Sequence, residues 1–419
     1  MSGKTSSTRP RPLSGIRVVD ISTVVMAPWA SQMLADMGAD VIKVESFSGD
    51  LTRQMGPRRH EGMGALFLTI NRNKRSVVLD LQRAAGRDAL MRLTLGADVL
   101  LHNMRPKVAK KLRLTYDDFA ATHPQLIYCG AYGFRKEGPL ADKPAYDDII
   151  QAASGVADVM GAVTDQPRYV PSIVADKISA YAVATGLLGA LFQRSQTGKG
   201  QSVEIGMFET LVDFLMVEHL YGATFDPPID RMGYSRILTK ERRPYATLDG
   251  YLAVLPYSDQ NWRDFFKLAG REELMQDARF ATLGQRVVNA KDLYGIVAEI
   301  VATRTSAQWI EALEAANIPV TPVNTMESLL DDAQLQASGF WHFIDHPTEG
   351  RLRQSDAPVR FSGSDFQIQQ AAPTLGQHSE EVLLEAGLSL TEIDALFADG
   401  VTSGPRHPSP SGDPACKTP

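Results

Sequence analysis

The chain has 419 residues, enough for two or three domains and a large core. Its composition, 44% hydrophobic and 22% charged, is that of a soluble globular protein, and a formal net charge of −6 argues against wholesale nucleic-acid binding while leaving room for local basic patches that hold anions. Two cysteines, Cys129 and Cys416, supply neither a disulfide framework nor a CxxC metal pair and suit a reducing cytoplasm; the polar N-terminal residues lack the apolar core of a signal peptide.

Residues 1–12 and 401–419 are rich in Pro, Ser and Gly and are expected to be disordered. From Leu13 the pattern alternates strands and helices. Residues 16–20 read as a strand. Pro28 then suits the first turn of a helix reaching Met37, and Gly38 suits its C-terminal cap. Further strands are expected at 40–45, 76–80, 98–102 and 126–129, with a helix over 84–95. Strands alternating with helices predict an α/β fold whose parallel sheet is covered on both faces, with ligands near the carboxyl ends of the strands.

A long helix is expected over 174–195. Ala180, Ala184, Gly186, Gly189 and Ala190 would let another backbone approach it closely. Its uncharged run, 178–193, is shorter than the ~20 apolar residues of a bilayer span, so a buried helix is expected and no membrane. Thr197-Gly198-Lys199-Gly200 turns into a strand at 202–205, and a second apolar helix follows over 207–221. Composition changes near Phe225-Asp226-Pro227-Pro228. A small β-rich unit is expected over 234–262, then two or three helices to 317. A strand at 318–323 is expected to mark the return to the first domain, before helices at 380–386 and 390–398.

Several common chemistries lack their motifs. No G-x-G-x-x-G follows a strand, and Gly198-Lys199-Gly200 is not a P-loop because Ser or Thr does not follow the lysine. There is no H-E-x-x-H and no G-x-S-x-G. His342 and His346 lie four apart but without an acidic companion at zinc spacing, so no metal is expected.

The informative stretch is Ile173-Val174-Ala175-Asp176-Lys177-Ile178-Ser179, which puts a carboxylate at the mouth of the long apolar helix. Such a residue is costly unless solvated, paired or used. With a reference pKa of about 3.9 it is expected to be ionised at neutral pH and able to attack an acyl carbon without a base. The competing role is a helix N-cap, which Asp also favours.

Several segments together resemble the class III CoA-transferase family, also called the carnitine and bile-acid CoA-transferase family. They are Leu13-Ser14-Gly15-Ile16-Arg17-Val18-Val19-Asp20, Gly38-Ala39-Asp40-Val41-Ile42-Lys43-Val44-Glu45, Asn71-Arg72-Asn73-Lys74-Arg75-Ser76, Asn103-Met104-Arg105-Pro106, Tyr146-Asp147, the Asp176 segment and Thr197-Gly198-Lys199-Gly200-Gln201. The resemblance covers 13–215 in order and spacing, and more loosely extends to 398. It implies an interlocked homodimer. Each subunit would have a Rossmann-like large domain built from both chain ends (13–224 and 323–400) and a smaller α+β middle domain (225–322).

By the same resemblance Asp176 matches the catalytic aspartate, which forms acyl-aspartyl and aspartyl-CoA intermediates. Coenzyme A would enter as a substrate, with no tightly bound cofactor. Lys74, Arg75, Arg105, Lys111 and Lys143 are candidates for its phosphates, since paired cations suit a diphosphate. Solvated charged faces are their plainer alternative. Val25, Met26, Leu79 and Gln82 fall where relatives touch the nucleotide, and Asn103 and Met104 fall along the adenine or pantetheine path. Ser46 and Gln82 stand where some members carry a basic residue. Tyr146 and Asp147 fall near the thioester.

The resemblance also bears on which reaction is run. The racemase branch carries a catalytic histidine at the position of Tyr146, and a tyrosine of pKa about 10 is a poor base near neutrality, which favours transfer over racemisation. Formyl-CoA transferases carry a glutamine near the position of Val25 and a Gly-rich loop in the small domain. Neither is present, which points away from oxalate or formate. Arg236, Lys240, Arg242 and Arg243 are instead candidates for a second carboxylate on a dicarboxylic acyl group. The expected reaction moves CoA from an acyl-CoA to a carboxylic acid. An α-methylacyl-CoA racemase-like enzyme and a non-catalytic acyl-CoA-binding protein are the alternatives.

Overall fold

The structure, a computed structural model, describes residues 10–364 and 366–406. Cys416 and the rest of 407–419 lie outside the described residues, as do 1–9. The chain forms two compact units. The first comprises residues up to Ile150, Ile173–Leu211 and residues from Gly339; the second comprises Gln151–Ser172 and Val212–Ser338.

The first unit is a parallel sheet with helices on both faces. Its strands and helices run β1 (Arg17–Asp20), α1 (Met26–Asp36), β2 (Asp40–Glu45), α2 (Ala65–Ile70), β3 (Lys74–Val78), α3 (Ala84–Leu95), β4 (Val99–His102), α4 (Pro106–Leu112), α5 (Tyr116–Ala120) and β5 (Ile127–Tyr132). After α6 (Asp147–Ala153) and α7 (Val156–Thr164) come α8 (Val174–Thr197), β6 (Gln201–Gly206) and α9 (Met207–His219). The strand order is β3-β2-β1-β4-β5-β6, all parallel, so the order reverses between β1 and β4. Such a reversal opens a crevice at the carboxyl ends of the strands.

Burial explains the near-continuous apolar runs of these strands. On one face Val19, Ile42, Val77 and Leu100 pack with Leu90 and Leu93 of α3 and with residues of the C-terminal helices. On the other face α1 and α8 lie along each other, and the small residues Ala27, Ala30, Ala180 and Ala184 permit that approach. Gly198 caps α8 with φ +69°, and a Cβ at Gly200 would stand 2.1 Å from the Leu126 carbonyl oxygen. The Gly-Lys-Gly turn is thereby accounted for as chain geometry.

β3 is an edge strand, and the C-terminal segment satisfies its outer backbone groups. The Ser76 N–H donates to His378 Nδ1 at 3.1 Å, the Val78 N–H to Ser379 Oγ at 3.1 Å, and Thr402 Oγ1 donates to the Val78 carbonyl at 2.7 Å. Val401 is fully buried in the same core. Disorder from 401 is therefore corrected: residues 401–403 pack against the unit, and the exposed Arg406 pairs with Glu380 at 2.8 Å. At the other end the Leu13 N–H donates to the Met37 carbonyl at 3.0 Å and Arg11 Nη2 to Gln369 at 2.7 Å, so packing begins before 13.

The second unit holds β7 (Tyr245–Ala246), β8 (Tyr251–Val254), α10 (Asp259–Leu268), α11 (Leu283–Val288), α12 (Ala290–Val301), α13 (Ser306–Ala315) and β9 (Val320–Pro322). They surround Trp262, Phe265, Phe266, Phe280 and Trp309, whose Nε1 donates to the Val301 carbonyl at 2.8 Å. β9 pairs antiparallel with β8, so it completes this unit's sheet. The expected return to the first unit at 323 moves to Gly339, after α14 (Ala333–Ala337); residues 151–172 also belong to the second unit.

Back in the first unit, β10 (Trp341–His346) and β11 (Gly350–Ser355) pair antiparallel as a hairpin. α15 (Ser379–Glu385) and α16 (Leu390–Ala398) close the chain onto the sheet.

Candidate active site

The site is built at the β1 to α1 connection, beside the point where strand order reverses. β1 ends in Asp20, which is fully buried. Beneath the connection lie the acids Asp20, Glu45 and Asp50 and the bases Lys43, Arg53 and Lys74, all at most 4% exposed. Lys43 pairs with Asp50 at 2.8 Å, Arg53 with Glu45 at 2.7 Å and Lys74 with Asp20 at 3.3 Å. Burial opposes every charge here. Even so, Lys74 and Lys43 hold the Asp20 carboxyl below its usual range, Lys43 does the same for Asp50, and Arg53 for Glu45. Burial, with repulsion from Lys43, brings Lys74 down to about 8 despite Asp20.

This cluster holds the connection. Asp50 Oδ1 accepts the Val24 N–H at 3.1 Å and Lys43 Nζ donates to the Ser22 carbonyl at 2.9 Å. From β4, Asn103 accepts the Thr23 N–H at 3.1 Å and donates to its carbonyl at 2.7 Å. Held this way, Val24 takes φ +73°, a left-handed conformation that a β-branched residue adopts only under constraint. The chain then turns directly into α1, whose first N–H groups have no partner within the helix.

One of those groups meets Asp176. The Met26 N–H lies close enough to the Asp176 carboxylate to favour its charge, and Asp176 sits in the first turn of α8, so the carboxylate stands beside two helix starts. The N-cap of α8 is Ile173, so Asp176 does not serve as the cap. Asp176 is 8% exposed, and the carboxylate of Asp147, 5% exposed, accepts its backbone N–H at 3.0 Å. Burial first, and the Asp147 charge second, raise the Asp176 carboxyl to about 7 against the lowering effect of the Met26 N–H. The expectation that Asp176 is fully ionised at neutral pH is therefore corrected.

The other sequence candidates divide sharply. Val25 and Met26 are buried at the α1 start, and Asn103 is the clamp on Thr23. Met104 packs against the main core, and its N–H donates at 3.1 Å to Nδ1 of His102, a buried ring that burial and the Lys136 charge hold neutral, near 3. Lys74 is corrected: its ammonium is fully buried and donates to Pro28 and Asn71, at 2.6 and 2.7 Å, as well as pairing with Asp20, out of reach of a phosphate. Arg75 is corrected too, being committed to Asp40, Glu381 and Glu385 at 2.7 to 2.8 Å. Leu79 is a core residue.

Gln82, Arg105, Lys111, Lys143 and Tyr146 are exposed, and the three cations form no ion pair among the described residues. Arg105 Nη1 donates to the Asp142 carbonyl at 3.1 Å. In the second unit Arg236 donates to the Tyr294 hydroxyl at 2.9 Å and Lys240 pairs with Asp165. Val24, Asp50 and Lys43 were not singled out from sequence, since no local pattern signals a left-handed valine or its clamps.

Fold and site together define a doubly wound α/β protein with a buried carboxylate where strand ends meet helix starts. A model of CoA-transferase family III matches residues 13–379, and the chain belongs to that family; it is a CoA-transferase. The succinate–glutarate CoA-transferase of Agrobacterium fabrum (strain C58) is 31% identical over 385 residues, 90% of this chain and 96% of that protein. Among solved structures, a CAIB/BAIF family protein from Brucella suis is 31% identical with a TM-score of 0.75, covering 90% of this chain and 100% of that one. An aspartate-to-alanine mutant of Rv3272 from Mycobacterium tuberculosis is 27% identical with a TM-score of 0.78, covering 89% of this chain and 98% of that one.

The raised Asp176 carboxyl has a stability consequence. A folded-state pKa near 7, against 3.8 unfolded, makes this group's contribution greatest at low pH and lost as pH rises through about 7. Asp176→Asn is therefore expected to be more stable than the unsubstituted protein at about pH 8, by up to about 4 kcal/mol, and equally stable at about pH 4. Urea unfolding at the two pH values checks this; equal midpoints at both would contradict it.

Proposed function

We propose that this CoA-transferase moves CoA from an acyl-CoA to a carboxylic acid, with short dicarboxylic acids among its acceptors, through covalent intermediates on Asp176. The observation that carries the reading is a buried carboxylate beside two helix starts, with the Met26 N–H near enough to favour its charge. A carboxylate oxygen attacks the thioester carbonyl, the C–S bond breaks, and a mixed anhydride and CoA thiolate result. The thiolate then attacks the aspartyl carbonyl, giving aspartyl-CoA and releasing the donor acid. The acceptor acid runs the same steps in reverse. The anhydride retains the thioester's free energy, so the transfer needs no nucleotide hydrolysis. Backbone N–H groups at the α1 start are suited to the charge that develops on the attacked carbonyl oxygen.

CoA itself would lie along the carboxyl ends of the strands, where order reverses between β1 and β4. Arg105, Lys111 and Lys143 remain the cations available for its phosphates, with Asn103 and Met104 beside the path. The succinate–glutarate specificity named for the Agrobacterium relative supports a dicarboxylic acceptor. Incubation with succinyl-CoA and hydroxylamine is expected to convert Asp176 to its hydroxamate; an unmodified side chain under turnover would count against the mechanism. In the same assay short dicarboxylic acids are expected to accept CoA, and exclusive use of monocarboxylates would contradict that part of the reading.

The working form is proposed to be the interlocked homodimer. Large apolar side chains left exposed on α8, Tyr181 at 47% and Phe192 at 68%, are surface that a second chain would cover. Light scattering should report the mass of two chains, and a single-chain mass would contradict this.

A further inference from the structure

Asp147 opens α6 and Asp176 lies in the first turn of α8. Asp147 Oδ1 accepts the Asp176 backbone N–H at 3.0 Å, and both residues are buried. A carboxylate bonded to the backbone of the residue bearing a second carboxylate cannot drift away from it. In a buried setting the repulsion between the two charges is weakly screened.

The Asp176 side chain alternates between two charge states in the reaction proposed above. It is an anion before acylation and neutral as the anhydride or the CoA thioester. Repulsion from Asp147 acts on the anion alone. When an Asp176 oxygen bonds to the acyl carbon, the C–S bond breaks and its electron pair leaves on the CoA sulfur, so the charge moves off Asp176.

We propose that Asp147 is a positioning residue whose charge destabilises the free Asp176 carboxylate relative to its acylated forms, and so sets how much of the enzyme rests as a covalent intermediate. This rests on the reading of Asp176 as the nucleophile. It assigns Asp147 an electrostatic role, in place of the substrate contact expected from sequence.

The surrounding charges are compatible with this role. Burial and Asp147 favour the neutral form of Asp176, and the Met26 N–H favours the anion. α1, packed along α8, ends in Asp36, which pairs with Arg72 at 2.8 Å. β5 brings Tyr128, Cys129 and Tyr132, all pushed up by burial, so neutral at physiological pH. β6 brings Glu204, paired with Lys136 at 3.1 Å. Lys177, the next residue on α8, is exposed and engaged with a partner of its own.

The Asp147→Asn variant keeps a carbonyl oxygen to accept the Asp176 N–H and removes the charge. Full-length protein is mixed with succinyl-CoA without acceptor, quenched in acid and weighed intact across about pH 5 to 9. The unsubstituted protein should acylate with a midpoint near pH 7. In Asp147→Asn the midpoint should fall by about one pH unit and the covalent fraction at about pH 8 by about tenfold, the two readouts of one lost repulsion. An unchanged midpoint and covalent fraction would overturn the role of Asp147 and leave Asp176 as nucleophile. No adduct in the unsubstituted protein would overturn both. Should that variant not fold, Asp147→Ser, which also removes the charge and keeps an oxygen able to accept the Asp176 N–H, is read the same way: a lowered midpoint and covalent fraction support the proposal, and unchanged values overturn it.

Discussion

The active end of this molecule depends on the buried pairing of Lys43 with Asp50. Both side chains are completely removed from solvent and 2.8 Å apart. Breaking such a pair by removing one partner typically costs about 3–5 kcal/mol, because the other charge is left buried and uncompensated. Here the pair also holds backbone: Asp50 takes the Val24 N–H and Lys43 the Ser22 carbonyl. Between them they keep the β1 to α1 connection in a conformation Val24 would not choose. That conformation turns the first N–H of α1 toward Asp176. An interaction of modest value to net stability thus becomes decisive for where a hydrogen-bond donor stands.

The nucleophile is held between opposing influences. Burial and a second carboxylate make its charge costly, and a backbone N–H at a helix start makes it tolerable. Perturbed carboxyls of this kind gather at functional sites because reactivity and comfort pull in opposite directions. A fully solvated aspartate would be a stable anion and a poor driver of acyl transfer. A fully desolvated one without the Met26 N–H would remain protonated. The arrangement lies between, near neutrality, where the carboxyl can alternate between free and acylated forms.

Much of this was legible in the sequence, and the failures share a cause. Apolar runs and their spacing gave α3, α8 and α16 nearly to the residue, because burial on two faces writes itself into composition. Asp176 stood out since a carboxylate opening an apolar helix is conspicuous. Lys74 and Arg75 were misassigned because a sequence reports charge and not burial; their carboxylate partners Asp20, Glu381 and Glu385 lie far away along the chain. The raised Asp176 carboxyl was missed for the same reason. Residues 320–322 read as a strand, but which sheet they joined is a tertiary matter settled by pairing with β8. Val401 and Thr402 looked like tail because their packing serves the edge of β3, a need invisible locally.

What unites these elements is a parallel sheet whose strand ends present two helix starts to one carboxylate, in a chain belonging to CoA-transferase family III. The central claim is that this carboxylate exchanges its own oxygen with the substrates. Turnover with an acceptor acid labelled in its carboxylate with oxygen-18, followed by digestion and mass analysis, tests it most directly. The label should enter the peptide carrying Asp176, because the acceptor's oxygen bridges the second anhydride and stays with the protein when thiolate attacks the acceptor carbonyl. A peptide that stays unlabelled after many turnovers would show that CoA is transferred without a covalent bond to Asp176.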